Sequence, residues 1–466
     1  MKRKNLFNNR LLTAGVVAAT VFAASCKKDD ETTPTTTPTG SATATTMDTV
    51  ASSVDHDADA NTAALTLNVI TVKDLGEGTG TVTWSKTNTY VLNGRVFVND
   101  GQTLTIEAGT VIKGKAGVGE NASALIVARG GKIMADGTST DPIIFTTESD
   151  PTARYTDGTF VQSKTLNENN PGMWGGLIVL GKSGLNSTPG ETAIEGIPTS
   201  ETRGLYGGTD DADNSGSLKY ISIRHGGSNI GADNEINGLT LGGVGSGTTI
   251  DYVEVYANSD DGIEFFGGTA QVKHALVAHT GDDSYDYDEG FRGKGQFWVS
   301  LNAGDRNGEH DGGTDPETAT PYATPTIYNA TYIGGAKGVT FRDNAGGKYV
   351  NSIFSDMGKG IDIEDLTSGE DSKSRLDAGD LVLDGNVMVG VKTITDNNKV
   401  DLYGNANVKN TDTTATPGLT IGNPVPATAL TGATGLTGDS FIENVTYKGA
   451  FSGTNWAAGW TRTFAP

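Results

Sequence analysis

Apolar and polar residues alternate along the body of this chain in short runs, and the runs recur at a fixed spacing. The segment Ile250-Asp251-Tyr252-Val253-Glu254-Val255 returns 22 residues later as Val272-Lys273-His274-Ala275-Leu276-Val277. A further shift puts Phe297 and Val299 at the positions of Ala275 and Val277. Gly262-Ile263-Glu264-Phe265 likewise returns as Ser284-Tyr285-Asp286-Tyr287, and Gly338-Val339-Thr340-Phe341 as Gly360-Ile361-Asp362-Ile363. Ala330 and Tyr332 map in the same way onto Ser352 and Phe354. Alternation is the period of a strand with one buried face. Each unit holds two or three strands of about four residues, too few to bury that face alone; stacked on copies of itself at about 4.8 Å, it does so. The pattern predicts an all-β solenoid, a parallel β-helix of about 22 residues per coil with loop insertions.

Residues 88–430 resemble right-handed parallel β-helices of the pectin-lyase type. The opening coils are Val91 to Val98, Thr103 to Gly114, Ala124-Leu125-Ile126-Val127-Ala128 and Pro142 to Thr147. The β-helix is expected over 64–430. Segments 152–174, 184–217, 225–238, 301–325 and 366–380 are rich in Gly, Asp, Ser and Asn and read as insertions, which in solenoids gather on one face. Residues 431–466 carry Phe441, Phe451, Trp456 and Trp460 and read as an aromatic-rich cap over the last coil, whose strand edges are otherwise open. An aromatic platform for a sugar is the alternative.

The chain starts with Lys2, Arg3, Lys4 and Arg10, followed by an apolar stretch from Leu11 to Ala24. The stretch is shorter than the roughly 20 residues a membrane-spanning helix needs, and it suits an export signal over 1–25. Ala23-Ala24-Ser25-Cys26 resembles the lipobox of bacterial lipoproteins, which implies lipid attachment at Cys26, the only cysteine of 466 residues. Lys27-Lys28-Asp29-Asp30-Glu31 resembles the surface-export signal of some Gram-negative lipoproteins. Residues 26–63 then read as a flexible tether. The expected location is the outer membrane, lipid-anchored and facing the cell exterior.

Composition narrows the function classes. The formal charge is -22, from 34 basic and 56 acidic residues. Such a field disfavours nucleic acid and suits cations and neutral partners. The 65 glycines lack a three-residue period, which excludes collagen, and they mark turns between strands. No phosphate loop or nucleophile elbow occurs in a suitable context.

The period makes the acidic residues a ladder. Asp260 falls one coil below Asp282, Asp261 below Asp283, and Glu264 below Asp286, the last pair outward if Ile263 and Phe265 face in. Carboxylates so stacked repel unless compensated. Ca²⁺ held by Asp260, Asp261, Asp282, Asp283, Glu264 and Asp286 is one remedy. Shared protons on catalytic acids are a second. Neutralisation by backbone N–H, Arg or Lys is a third, with Arg292 and Lys294 close in sequence and Arg342 above Glu364.

The motifs also resemble polygalacturonases, with Asn258-Ser259-Asp260, Asp282-Asp283, a departure at Gly308-Glu309-His310-Asp311-Gly312, where His310 falls in an insertion, and a loose match at Gly338 to Arg342. That resemblance implies Asp261, Asp282 and Asp283 as catalytic carboxylates; Arg292, Lys294, His310 and Arg342 are the candidate substrate-binding residues. Trp174 to Leu180, Asp260 to Gly268 and Phe291 to Trp298 look like a group of bacterial surface lipoproteins with a β-helix and no settled activity. The expected function is a non-enzymatic surface β-helix that binds an extracellular glycan or a surface protein, with Ca²⁺ sites; a polysaccharide hydrolase or lyase is the alternative.

Overall fold

Successive coils lay their short strands side by side, and the apolar residues of each strand stack on those of the next. A computed structural model describes residues 46–54, 65–231, 234–313, 316–391, 405–413, 418–432 and 438–465. Among them, two long sheets dominate, one of 19 strands and one of nine. The nine-stranded sheet runs Arg95–Val98, Ala124–Val127, Leu177–Leu180, Leu239–Gly242, Ile263–Phe266, Tyr285–Asp288, Arg306–Asp311, Lys337–Arg342 and Ile361–Ile363, all parallel. Val96, Leu125, Leu177, Leu239, Ile263 and Tyr285 form one inward column, and Val98, Val127, Val179, Leu241, Phe265 and Tyr287 a second.

The 22-residue register holds where Val253 pairs with Ala275, Ile263 with Tyr285, Val339 with Ile361 and Tyr332 with Phe354. It fails at Phe297 and Val299. Leu276 pairs with Val299, a spacing of 23, because one extra residue enters the turn before Lys294. A one-residue slip exchanges the two faces of a strand. Trp298 therefore enters the core and stacks on Tyr285 at 4.6 Å and Phe265 at 5.5 Å, while Phe297 and Val299 join an apolar cluster outside the coil.

The segment 301–325 is not one insertion. Arg306–Asp311 is a strand of the nine-stranded sheet, because His310 fills an inward position between Tyr287 and Phe341. The insertions at 152–174, 184–217 and 225–238 each carry a short hairpin: Ala153–Arg154 with Phe160–Val161, Thr192–Ala193 with Leu205–Tyr206, and Asn229–Gly231 with Asn234–Glu235.

Both ends of the solenoid differ from expectation. Within the expected tether, Thr46–Val54 is a strand antiparallel to Leu65–Lys73, and it covers the free edge of that first coil strand. Residues 1–25 and Cys26 lie outside the described residues. At the other end, the helix Ser372–Ala378 seats Leu376 in the core beside Leu381–Val389, with Asp371 capping its first turn and Gly379 (φ 84°) ending it.

The aromatic tail is therefore not an end cap. It runs back along the flank: Gly449 N–H donates to Asn351 O (2.7 Å), and Arg462 and Thr463 N–H donate to the buried Glu254 carboxylate (2.7 and 2.8 Å). There it covers a file of stacked rings, Tyr220 on Tyr252 (4.3 Å), Tyr252 on His274 (4.2 Å) and His274 on Phe297 (4.9 Å). Trp460 and Trp456 meet these rings edge-on. Trp460 is buried, which leaves it no face for a sugar. No described helix is long and apolar enough to cross a membrane.

Candidate functional site

The outward face of the nine-stranded sheet changes character along the solenoid. One outward column reads Phe97, Ile126, Ile178, Thr240, Glu264, Asp286, Glu309, Thr340 and Asp362. Its apolar first half is roofed by the 184–217 insertion, whose Leu185, Ile194, Ile197 and Tyr206 pack on Phe97, Ile126, Ile178 and Leu180. Its second half is acidic.

The turn that feeds this face is built by Asn258 and Gly262. The buried Asn258 amide donates to Asp261 O (2.7 Å). A Cβ on Gly262 would meet Val277 at 2.3 Å, so only glycine passes there. Asp283 N–H then donates to Asp261 Oδ1 (2.8 Å), which fixes the stacking of Asp261 on Asp283.

Three groups of carboxylates converge, with oxygens all within 4.8 Å in each: Asp260, Asp261 and Asp282; Asp261, Glu264 and Asp286; and Asp282, Asp283 and Asp305. They are not equally compensated. Asp283 accepts from Arg306 N–H (2.6 Å), and Asp305 pairs with Lys337 and Arg306 (3.0 and 2.7 Å). Glu309 pairs with Arg342 (2.9 Å) and Arg306 (3.2 Å), and Asp311 takes Arg342 at 2.5 Å. In the middle group, by contrast, no ion pair with Lys or Arg is found among the described residues. Glu264 accepts from the Asn237 amide, and Asp286 Oδ1 is buried with no hydrogen-bond partner among the described residues.

Electrostatics follow this division. Burial, then the charges of Glu195, Asp286 and Asp261, holds the Glu264 carboxyl well above the usual carboxylate range. Burial, then Asp260 and Asp283, does the same to Asp261. Burial, then Asp261 and Glu309, does so to Asp286. Each neighbour named is an acid, so the group stores repulsion until a proton or a cation enters. Hard oxygens at this spacing, one of them orphaned and buried, fit Ca²⁺.

The other residues singled out by sequence divide clearly. Asp260 is half-buried and Asp282 exposed at the rim of the first group. Arg342 reaches the acidic column. Arg292 and Lys294 do not: Arg292 donates to Gly290 O (2.8 Å) and faces Asp211, and Lys294 pairs with Asp439 of the tail (2.7 Å). His310 is no substrate contact. It is fully buried, stacked on Tyr287 at 3.9 Å and bonded through Nε2 to the Tyr349 hydroxyl (2.8 Å), and burial pushes it down to about 3, so it is a neutral core ring. His225 and His279 share a coil position with Ala257 between them, and the Tyr256 ring meets both edge-on at 5.7 Å.

Sequence reasoning passed over Asn237, Glu195 and Arg306. The first two lie in insertions, where a 22-residue rule has no purchase. Arg306 was hidden with its strand inside the supposed 301–325 loop. Two cavities of about 590 and 620 Å³ also flank Arg203 on the first coils. Arg203 lies over the Phe97 ring (3.8 Å) and pairs with Asp74 and Glu201 (2.8 and 2.6 Å).

A family model described as a pectate-lyase like beta helix domain matches residues 76–461. No curated protein matches in sequence. Among solved structures, the catalytic domain of a GH87 alpha-1,3-glucanase in complex with tetrasaccharides is 9% identical, with a TM-score of 0.29. The match covers 72% of this chain and 64% of that one. Likeness at this level transfers neither residues nor substrate.

Proposed function

The chain belongs to the pectate-lyase-like β-helix family, and we propose that it is a cell-surface, lipid-anchored protein that binds an extracellular glycan with the help of Ca²⁺. The observation that carries the reading is the middle carboxylate group, Asp261, Glu264 and Asp286, which gathers three acids with no Lys or Arg ion pair among the described residues. Asp260 and Asp282 extend the cation-binding surface to the rim. The cavities beside Arg203, at about 590 and 620 Å³, have the volume of small-molecule sites and offer both cations and carboxylates to sugar hydroxyls. A protein partner on the same loop-bearing face is the other occupant to test.

A hydrolytic role for Asp261, Asp282 and Asp283 is the weaker reading. Inverting glycosidases keep their two carboxyl groups about 6.5–9.5 Å apart to admit a water. The groups here approach within 4.8 Å. For a lyase, Arg342 is a poor base: burial lowers its guanidinium, but Asp311 and Glu309 outweigh burial and hold it above its ordinary range.

Calorimetric titration of the full chain with Ca²⁺, then glycan-array binding with Ca²⁺ or with EGTA, tests the proposal. Binding to a glycan that EGTA abolishes is the expected result. Glycan binding indifferent to EGTA would remove the ion from the function. Release of reducing ends or unsaturated sugars from any array polysaccharide would replace binding by catalysis.

A further inference from the structure

The 184–217 insertion brings a fourth carboxylate to the group formed by Asp261, Glu264 and Asp286. Glu195 follows Ile194 and precedes Ile197, both buried in the apolar roof. Its Oε1 accepts from Asn237 Nδ2 at 3.1 Å, and the same nitrogen donates to Glu264 Oε2. Asn237 is fully buried, and its own Oδ1 has no partner among the described residues. One amide nitrogen thus stands between two carboxylates that repel each other. Asn237 Oδ1 and Asp286 Oδ1, both buried without a hydrogen-bond partner among the described residues, are a second sign that a ligand binds at this point.

We propose that Glu195 ligates the same cation as Asp261, Glu264 and Asp286, so that the ion latches the 184–217 insertion onto the sheet. The inference rests on the cation reading above and adds a moving part to it. The two sides of the site differ in stiffness. Glu264 and Asp286 sit on strands paired to neighbours on both edges. Glu195 sits on a loop whose hairpin has two residues in each strand, Thr192–Ala193 and Leu205–Tyr206. When the carboxylates repel, the loop is the element that yields. When an ion bridges them, the repulsion becomes attraction and the loop closes.

Closure has a consequence for the cavity beside Arg203. Thr202, Arg203, Leu205 and Gly207 to Asp210, all from this insertion, form much of its wall. The ion at Glu195 therefore sets the shape of a cavity whose other residues, Asp100, Ala128, Arg129 and Lys182, belong to the coils. A glycan held there gains affinity from Ca²⁺ without touching it.

Hydrogen exchange followed by mass spectrometry on the full chain, with Ca²⁺ or with EGTA, reads the latch directly. Ca²⁺ is expected to slow exchange in residues 192–208 by about tenfold, the scale of a modest coupling between sites. Exchange in the coil strands of residues 339–355 stays unchanged and reports that the fold is intact. In Glu195→Gln, calorimetry is expected to show Ca²⁺ still bound, more weakly, while the protection of 192–208 is lost. Ca²⁺ binding to the wild type with no change in 192–208 would overturn the latch and leave the cation reading standing. Retained protection in Glu195→Gln would do the same. Absence of any Ca²⁺ binding would overturn both.

Discussion

Replacing Asp286 by Asn isolates the electrostatics of the middle carboxylate group. Its oxygens lie within 4.8 Å of those of Asp261 and Glu264. Two unit charges at that distance repel by about 3 kcal/mol at an effective dielectric constant near 20. The chain can escape by retaining a proton, and holding one at pH 7 on a carboxyl of ordinary pKa about 3.9 costs about 4 kcal/mol. The repulsion stored without metal is bounded by that escape, and Asp286→Asn is expected to stabilise the EGTA-treated protein at pH 7 by about 2 kcal/mol.

The sign of the pH dependence follows from the raised carboxyl of Asp286. Its contribution to stability is complete below the unfolded value, about 3.9, and is lost as pH rises through the higher folded value. The stability gap between variant and wild type should therefore widen from pH 5 to pH 7. Denaturant unfolding in EGTA at both pH values measures it. Saturating Ca²⁺ should reverse the order, since ligand at 100 times its Kd adds about 2.7 kcal/mol to the protein that binds it. A variant less stable than the wild type in EGTA, with no dependence of the gap on pH, would refute the reasoning.

Other outcomes test separate parts of the structure. Trp298→Ala should cost about 3–5 kcal/mol in denaturant unfolding, because it empties a core position and strips Val272 O of its donor. His310→Phe should leave Ca²⁺ and glycan binding unchanged in titration while costing about 1 kcal/mol for the lost hydrogen bond, since the Tyr349 hydroxyl keeps the Tyr332 hydroxyl as a partner at 3.3 Å. Glu254→Ala removes the acceptor of the Arg462 and Thr463 backbone amides and of the Thr463 hydroxyl, and limited proteolysis should then cut the tail after residue 452 at least about tenfold faster. Cys26→Ala should release the protein from the membrane fraction, and fractionation with immunoblotting checks it.

Much was legible in the sequence because a solenoid is nearly one-dimensional. Each coil meets only its neighbours, so the 22-residue spacing alone sets the stacking of Ile263 on Tyr285 and of Glu264 on Asp286. Alternation likewise told which of these faced the core. Tertiary structure decided whatever broke the period. A single extra residue before Lys294 exchanged the roles of Phe297 and Trp298, and alternation alone carries no mark of where such a residue enters. His310 looked like a loop histidine because its polar neighbours, Glu309 and Asp311, are outward-facing residues of a strand. The tail's course along the flank depends on contacts between residues such as Glu254 and Thr463, more than 200 positions apart, which no local pattern encodes. The same holds for Glu195 and Asn237: insertions are free of the repeat, and only folding brings them to carboxylates that the repeat had already aligned.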